Sequence, residues 1–313
     1  MPLRNPAPDA TGRTQSTDAL NLLARHACHG GVQSFYQHCS ATTGTQMRFG
    51  VFEPPQVAAG PVPVLFFLAG LTCNEETFAI KAGAQRKAAE LGLMLVTPDT
   101  SPRETGIEGA DGDWEFGTAA SFYLDALQPP WNRHFRMETW ITTELQQLVL
   151  GRFQACAQRV GLMGHSMGGH GALTLALRHP GLYGSVSAIA PIAAPTRCPW
   201  GEKAFSGYLG ADRDTWRAHD ATELIHQGRR LPELLVDQGR DDKFLATQLM
   251  PEAFEQACRE AGQPLTLRRH AGYDHGYYFI ASVIDDHLAH HARCLAPLAP
   301  GPDASPLVPT SGK

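Results

Sequence analysis

No apolar run in the 313-residue chain approaches the roughly 20 residues needed to cross a bilayer. The N-terminus lacks the charged-then-apolar layout of a secretory signal. The seven cysteines are odd in number and nowhere adopt a C-x-x-C spacing, which argues against a disulfide framework and against a zinc site. Reduced thiols in a cytoplasmic protein are the reading that remains. Positive charge is also in short supply. A net charge of -5 and a pI near 6.3 argue against nucleic acid or an anionic membrane surface as the main partner. No internal repeat and no domain linker is found. What is present is ordinary soluble-core material, with 43% hydrophobic and 18% charged residues, in a length that suits one large α/β domain or two small ones.

The most informative stretch is 159–177, which contains Gly164-His165-Ser166-Met167-Gly168, a G-x-S-x-G pentapeptide. It follows a short apolar run and precedes an Ala/Leu-rich stretch that Pro180 closes, so it reads as strand, sharp turn, helix. Such a turn forces strained backbone on the serine and leaves almost no room two residues before and after it. Gly164 and Gly168 meet that need, and Gly169 should let the helix pack close to the strand. Ser166 would then stand above a helix N-terminus, where the Met167 N–H can hold a developing oxyanion. A phosphate cradle is disfavoured because no Lys-Ser or Lys-Thr pair follows the glycines.

Around this element, residues 1–28 read as a flexible extension, 29–295 as the catalytic domain and 296–313 as a flexible Pro-rich tail. Extended segments are expected at 32–38 and 45–52, and a buried central strand at 62–68. A helix capped by Asn74 should run to about Leu91. Further strands are expected at 93–96, 185–190, 234–237 and 265–269, and helices at 137–153, 244–261 and 277–294. Two segments, 100–136 and 196–214, read as irregular. Strands alternating with helices imply a mostly parallel sheet with helices on both faces.

A serine hydroxyl needs a base, and the base needs an orienting carboxylate. With this elbow the chain order is Ser, then Asp or Glu, then His, each on the loop after a strand. Of fourteen histidines, His275 lies between the last strand and the last helix, where the base belongs. His270 falls on the strand and His165 beside the serine, so both read as packing or supporting residues. His287, His290 and His291 have ligand-like spacing, but a solvated helix face is the better reading. For the carboxylate Asp237 falls too early, and spacing does not separate Asp241 from Asp242. The second oxyanion donor should come from the loop after the 62–68 strand, at Leu71.

Six motifs then add up: L-A-G-L-T-C at 68–73, D-T-S-P-R at 99–103, G-H-S-M-G-G-H-G-A-L at 164–173, C-P-W-G-E-K-A-F-S-G-Y-L-G at 198–210, D-Q-G-R-D-D-K-F-L at 237–245 and G-Y-D-H-G-Y-Y-F-I at 272–280. On them the chain resembles the S-formylglutathione hydrolases, the esterase D family of α/β-hydrolases, over nearly everything outside the two tails. The resemblance implies an α/β-hydrolase fold with Ser166 as nucleophile, His275 as base, Asp242 as acid, and Leu71 and Met167 as oxyanion donors. It places a thiol-reagent-sensitive cysteine at Cys73. It implies hydrolysis of S-formylglutathione to glutathione and formate in formaldehyde detoxification, with no metal or organic cofactor. The partner would be a small-molecule thioester, and the oligomeric state stays open, a homodimer included. A general short-chain carboxylesterase and, behind it, an acyltransferase are the alternatives. The pocket is expected from the two irregular segments and the edge at Cys73, with Trp114, Phe116, Trp200 and Phe205 as its bulky walls.

Overall fold

The structure is a computed structural model that describes residues 20–296. Among the described residues nine strands form one sheet: β1 Asn21–Cys28, β2 Gly31–Cys39, β3 Gln46–Glu53, β4 Val62–Leu68, β5 Met94–Pro98, β6 Ala155–His165, β7 Ser185–Ile189, β8 Leu234–Gly239 and β9 Leu265–His270. Their spatial order is β1-β2-β3-β5-β4-β6-β7-β8-β9. The first three strands enter antiparallel, and β3 also meets β5 antiparallel; every later pairing is parallel. This is the expected α/β-hydrolase arrangement.

The central strand shows why its residues form it. In β4 the side chains of Val62, Val64, Phe66 and Leu68 enter one core, while Leu65 and Phe67 enter the other. A strand covered on both faces shows a continuous apolar run instead of alternation. On one face lie α1 Thr77–Lys81, α2 Ala84–Leu91 and, at the chain's end, α10 Tyr277–Cys294. On the other lie α3 Met137–Thr139, α4 Gln146–Arg152, α5 Met167–Arg178, α6 Pro199–Tyr208, α7 Arg213–Arg217, α8 Ala221–His226 and α9 Pro251–Ala261. Among the described residues no helix is long and apolar enough to cross a membrane.

Several expectations need correction. Residues 21–28, assigned to a flexible extension, form β1, which pairs with β2 through a tight turn at His29 and Gly30, both at positive φ. The strand lies at the sheet edge with most side chains exposed, so it carries no buried-face pattern to read. The remainder of that extension, 1–19, and the tail from 297 lie outside the described residues. The helix after Asn74 is two helices, broken at Gly83 with φ 67°. The Asn74 side chain does accept from the amides of Glu76 and Thr77. The 244–261 helix is a π-helical turn followed by α9, separated at Met250 in the left-handed region (φ 52°), with Pro251 at the first position of α9. The 196–214 segment contains α6. Its Gly201 and Gly207 are poor helix formers, but a Cβ there would meet Pro195 O at 2.0 Å and the Phe116 ring at 2.4 Å. Close packing overrides propensity at both positions.

The histidines of α10 are corrected as well. His287 and His291 are fully buried and His290 nearly so. His291 bonds Ser185 and Ser187 Oγ at 2.6 and 2.8 Å, and His287 bonds Ser187 Oγ at 2.8 Å and Asp237 Oδ2 at 3.2 Å. They tie α10 to β7 and β8 instead of facing water. Buried serines on strands gave no sign in the sequence that a helix would supply their partners.

Candidate active site

The β6–α5 turn puts Ser166 at φ 57°, ψ −119°. A non-glycine residue there costs roughly 1–3 kcal/mol, so its surroundings must hold it. The Ser166 N–H donates to Ile189 O at 3.0 Å, and Ser166 O accepts from His170 and Ile192. The glycines answer to close approaches: a Cβ at Gly164 would lie 2.0 Å from Gly168 O, and one at Gly168 would lie 1.9 Å from Leu68 O. Gly168 therefore lets α5 approach β4, while a Cβ at Gly169 would meet Pro191 at 2.9 Å and Gly164 O of β6 at 3.3 Å.

His275 stands on the loop between β9 and α10. Its Nε2 lies 2.8 Å from Ser166 Oγ and its Nδ1 2.5 Å from Asp242 Oδ2. Asp242, on the loop after β8, has a fully buried side chain. Its carboxylate also accepts from Phe244 N at 2.8 Å and Gln238 Nε2 at 3.2 Å. An ionised carboxylate accepts only, so Nδ1 carries the proton and Nε2 is left to accept from the serine. Asp241 is exposed, with its amide bonded to Tyr273 O. Asp237 is spent elsewhere. Burial works against its charge, yet hydrogen bonds from Arg268 and His287 hold its carboxyl well below the usual range. Phe244 meets the His275 ring edge-on at 5.1 Å, and His165 lies 4.6 Å away. Burial, and then the neighbouring His275, push His165 well below the ordinary histidine range, and neither of its ring nitrogens has a partner among the described residues. It supports His275 as a neutral ring.

Two residues beside this group, on different elements, have backbone amides without an acceptor among the described residues. Met167 opens the 12-residue α5, so its N–H has no intrahelical acceptor. Leu71 lies in the loop after β4, and its amide is not engaged by any described residue. That loop sits close: a Cβ on Gly70 would be 3.1 Å from Ser166 Cβ. It is anchored by Tyr123 Oη to Ala69 O (2.8 Å), Thr72 N to Ala119 O (3.1 Å), and Thr100 Oγ1 and Arg103 Nη2 to Cys73 O (2.6 and 3.1 Å). Arg103 is itself fixed by Asp99 at 2.6 Å. The D-T-S-P-R stretch thus acts as the loop's brace, a role its sequence does not reveal.

Above Ser166 and His275 opens a cleft of about 230 Å³ walled by the 70–73 loop, Trp114, Trp200 and Phe244. Of the pocket residues expected, Cys73, Trp114 and Trp200 line it. Phe116 and Phe205 do not. Phe205 is fully buried against Phe122 and Trp216, and Phe116 stacks on Tyr208 at 4.4 Å. Five residues along a helix turn it by roughly 140° net, so α6 aims Trp200 at the cleft and Phe205 into the core. Phe244, which the sequence reading missed, follows Asp242 by two residues and so shares its loop. The Trp200 indole donates to Glu115 Oε1 at 2.7 Å, and Lys203 ties the same carboxylate to Asp113. Cys73 is half-buried with its thiol 3.9 Å from Tyr277 Oη; burial pushes that thiol up. Among the described residues no group of three or more His, Cys, Asp or Glu could hold a metal ion.

The chain is similar to known esterases. The Esterase family model matches residues 40–290. The S-formylglutathione hydrolase of Mus musculus is 49% identical over 280 residues, covering 88% of this chain and 99% of the mouse protein. That of Bos taurus is 47% identical over the same shares. The solved S-formylglutathione hydrolase of Agrobacterium tumefaciens superposes with a TM-score of 0.87 at 44% identity, over 88% of this chain and all of that one. A Staphylococcus aureus hydrolase at 17% identity and TM-score 0.65, over 88% of this chain and 99% of that one, shares the fold.

Proposed function

Because the chain belongs to the S-formylglutathione hydrolase family of esterases, we propose that it hydrolyses S-formylglutathione to glutathione and formate through Ser166, His275 and Asp242. The observation that carries this reading is the unbroken hydrogen-bonded line from Asp242 through His275 to Ser166. Ser166 Oγ attacks the formyl carbon while His275 Nε2 takes its proton. Asp242 stabilises the imidazolium that results. The Leu71 and Met167 amides receive the negative oxygen of the tetrahedral intermediate. That intermediate collapses by breaking the C–S bond, and His275 returns the proton to the departing sulfur. Water, deprotonated by the same histidine, then attacks the formyl-serine, and formate leaves as Ser166 regains its proton. Glutathione-dependent removal of formaldehyde in the cytoplasm is the proposed setting, supported by seven unpaired thiols.

A narrow cleft between Trp114, Trp200 and Phe244 favours small acyl groups. Over a formyl, acetyl, butyryl series kcat/KM is expected to fall at least ~10-fold per added step, the scale on which a tight pocket rejects extra methylenes. S-formylglutathione should exceed a formyl oxygen ester. Equal turnover of acetyl and butyryl esters, with no advantage from glutathione, would replace this reading with a general carboxylesterase.

Cys73 gives a separate check. An alkyl group on its sulfur would project into the cleft, so iodoacetamide should abolish activity. Cys73→Ser should retain turnover and lose that sensitivity. If the serine variant is inactivated as fast as the wild type, another thiol is the target.

A further inference from the structure

The chain holds five lysines, at 81, 87, 203, 243 and 313, of which four lie among the described residues. Lys87 pairs with Glu90 at 3.1 Å, and Lys203 pairs with Asp113 and Glu115. Lys81 and Lys243 have no carboxylate partner among the described residues. Each lies instead against an aromatic ring. Lys243 Nζ is 4.8 Å from the centre of Phe244, and Lys81 Nζ is 5.7 Å from that of Tyr277. Those rings are not arbitrary ones. Phe244 walls the cleft and touches both His275 and Trp200. Tyr277 reaches the Cys73 sulfur, which lines the cleft as well. Of the two described lysines with unspent charge, Lys243 thus lies against a wall of this opening and Lys81 lies one ring removed from it, and they come from elements far apart in sequence, the β8–α9 connection and α1. The nearby cation on α6, Lys203, is already neutralised by its own carboxylates. The Lys81 charge is felt at the site: it acts on the Cys73 thiol against the dominant effect of burial.

A leaving group that suits this rim carries two separated carboxylates, which is the chemistry of the glutathione tripeptide with its γ-glutamyl and glycyl ends. We propose that Lys81 and Lys243 each receive one carboxylate of the glutathione moiety, so that they set leaving-group specificity while the acyl cleft sets acyl specificity. This rests on the hydrolase reading above. The aromatic contacts pin each ammonium near the rim without neutralising it, which leaves its charge available to an incoming anion. Interactions of this kind at a solvated surface are individually modest and screened by salt.

The experiment compares Lys81→Gln, Lys243→Gln and the double variant with the wild type on two substrates, S-formylglutathione and a neutral short-chain p-nitrophenyl ester. The readout is the ratio of the two kcat/KM values at low and high salt. Each single change should lower the ratio about 3-fold and the double change about 10-fold, through KM for the glutathione thioester, the scale expected of exposed ion pairs. In the wild type the ratio should fall on going from 0.05 to 0.5 M salt, and in the double variant it should hardly respond. A wild-type ratio near one overturns the hydrolase reading and this inference with it. A clear wild-type preference that neither the variants nor salt can move overturns the lysine rim alone.

Discussion

Ser166→Ala is expected to give a folded protein whose kcat/KM on S-formylglutathione and on a small acetate ester is lower by about 100,000-fold, the loss typical of removing one member of a unit that acts together. The fold should survive because the elbow is held by backbone bonds and by glycine contacts that the change leaves alone. Alanine inherits the same positive φ, so the strain is already present in the wild type. Among the described residues the side-chain bond lost is the one to His275, worth about 1 kcal/mol, which for a domain of this size lowers Tm by about 2–4 °C. The variant should also fail to take up a fluorophosphonate, measured as intact mass. Turnover above about 1% of wild type, or a stoichiometric adduct, would remove Ser166 from its assigned role.

The second large effect separates two adjacent carboxylates. Asp242→Asn should lower kcat about 1,000- to 10,000-fold, and Asp241→Asn should change it by less than about 3-fold. The size of the contrast follows from the proton on His275. An asparagine at 242 can turn its amide N–H toward Nδ1, which then must accept, and Nε2 becomes a donor facing the serine. In that tautomer the ring has no lone pair with which to take the Ser166 proton. Asp241 is exposed and bonds no histidine, so its loss removes only a surface charge. Steady-state kinetics on both variants, with circular dichroism to establish folding, decides the matter. Equal losses, or the reverse order, would sink the assignment of Asp242.

Much of the architecture was legible along the chain. The apolar run at 62–68 coincides with β4, and the G-x-S-x-G stretch forms the turn between β6 and α5. Both are local: one is a burial period, the other a set of steric demands met within five residues. His275 could be placed because chain order puts the base after the last strand, and its loop is where that order leads.

Other features depend on partners that no local pattern contains. His275 meets Ser166 across 109 residues and Asp242 across 33, and spacing alone left two aspartates in competition for the second bond. The backbone after β8 decided it, burying Asp242 beneath the histidine and turning Asp241 to solvent. The cleft was likewise settled by helix geometry: Trp200 and Phe205 are both large aromatics of α6, and only its rotation shows that Trp200 faces the site and Phe205 the core. The histidines of α10 were misread because burial of a polar side chain depends on a hydrogen-bonding partner, and theirs lie about 100 residues away on β7. The edge strand β1 escaped for the opposite reason. With most of its side chains exposed, its pairing is held by backbone hydrogen bonds, and those are the same for every residue but proline.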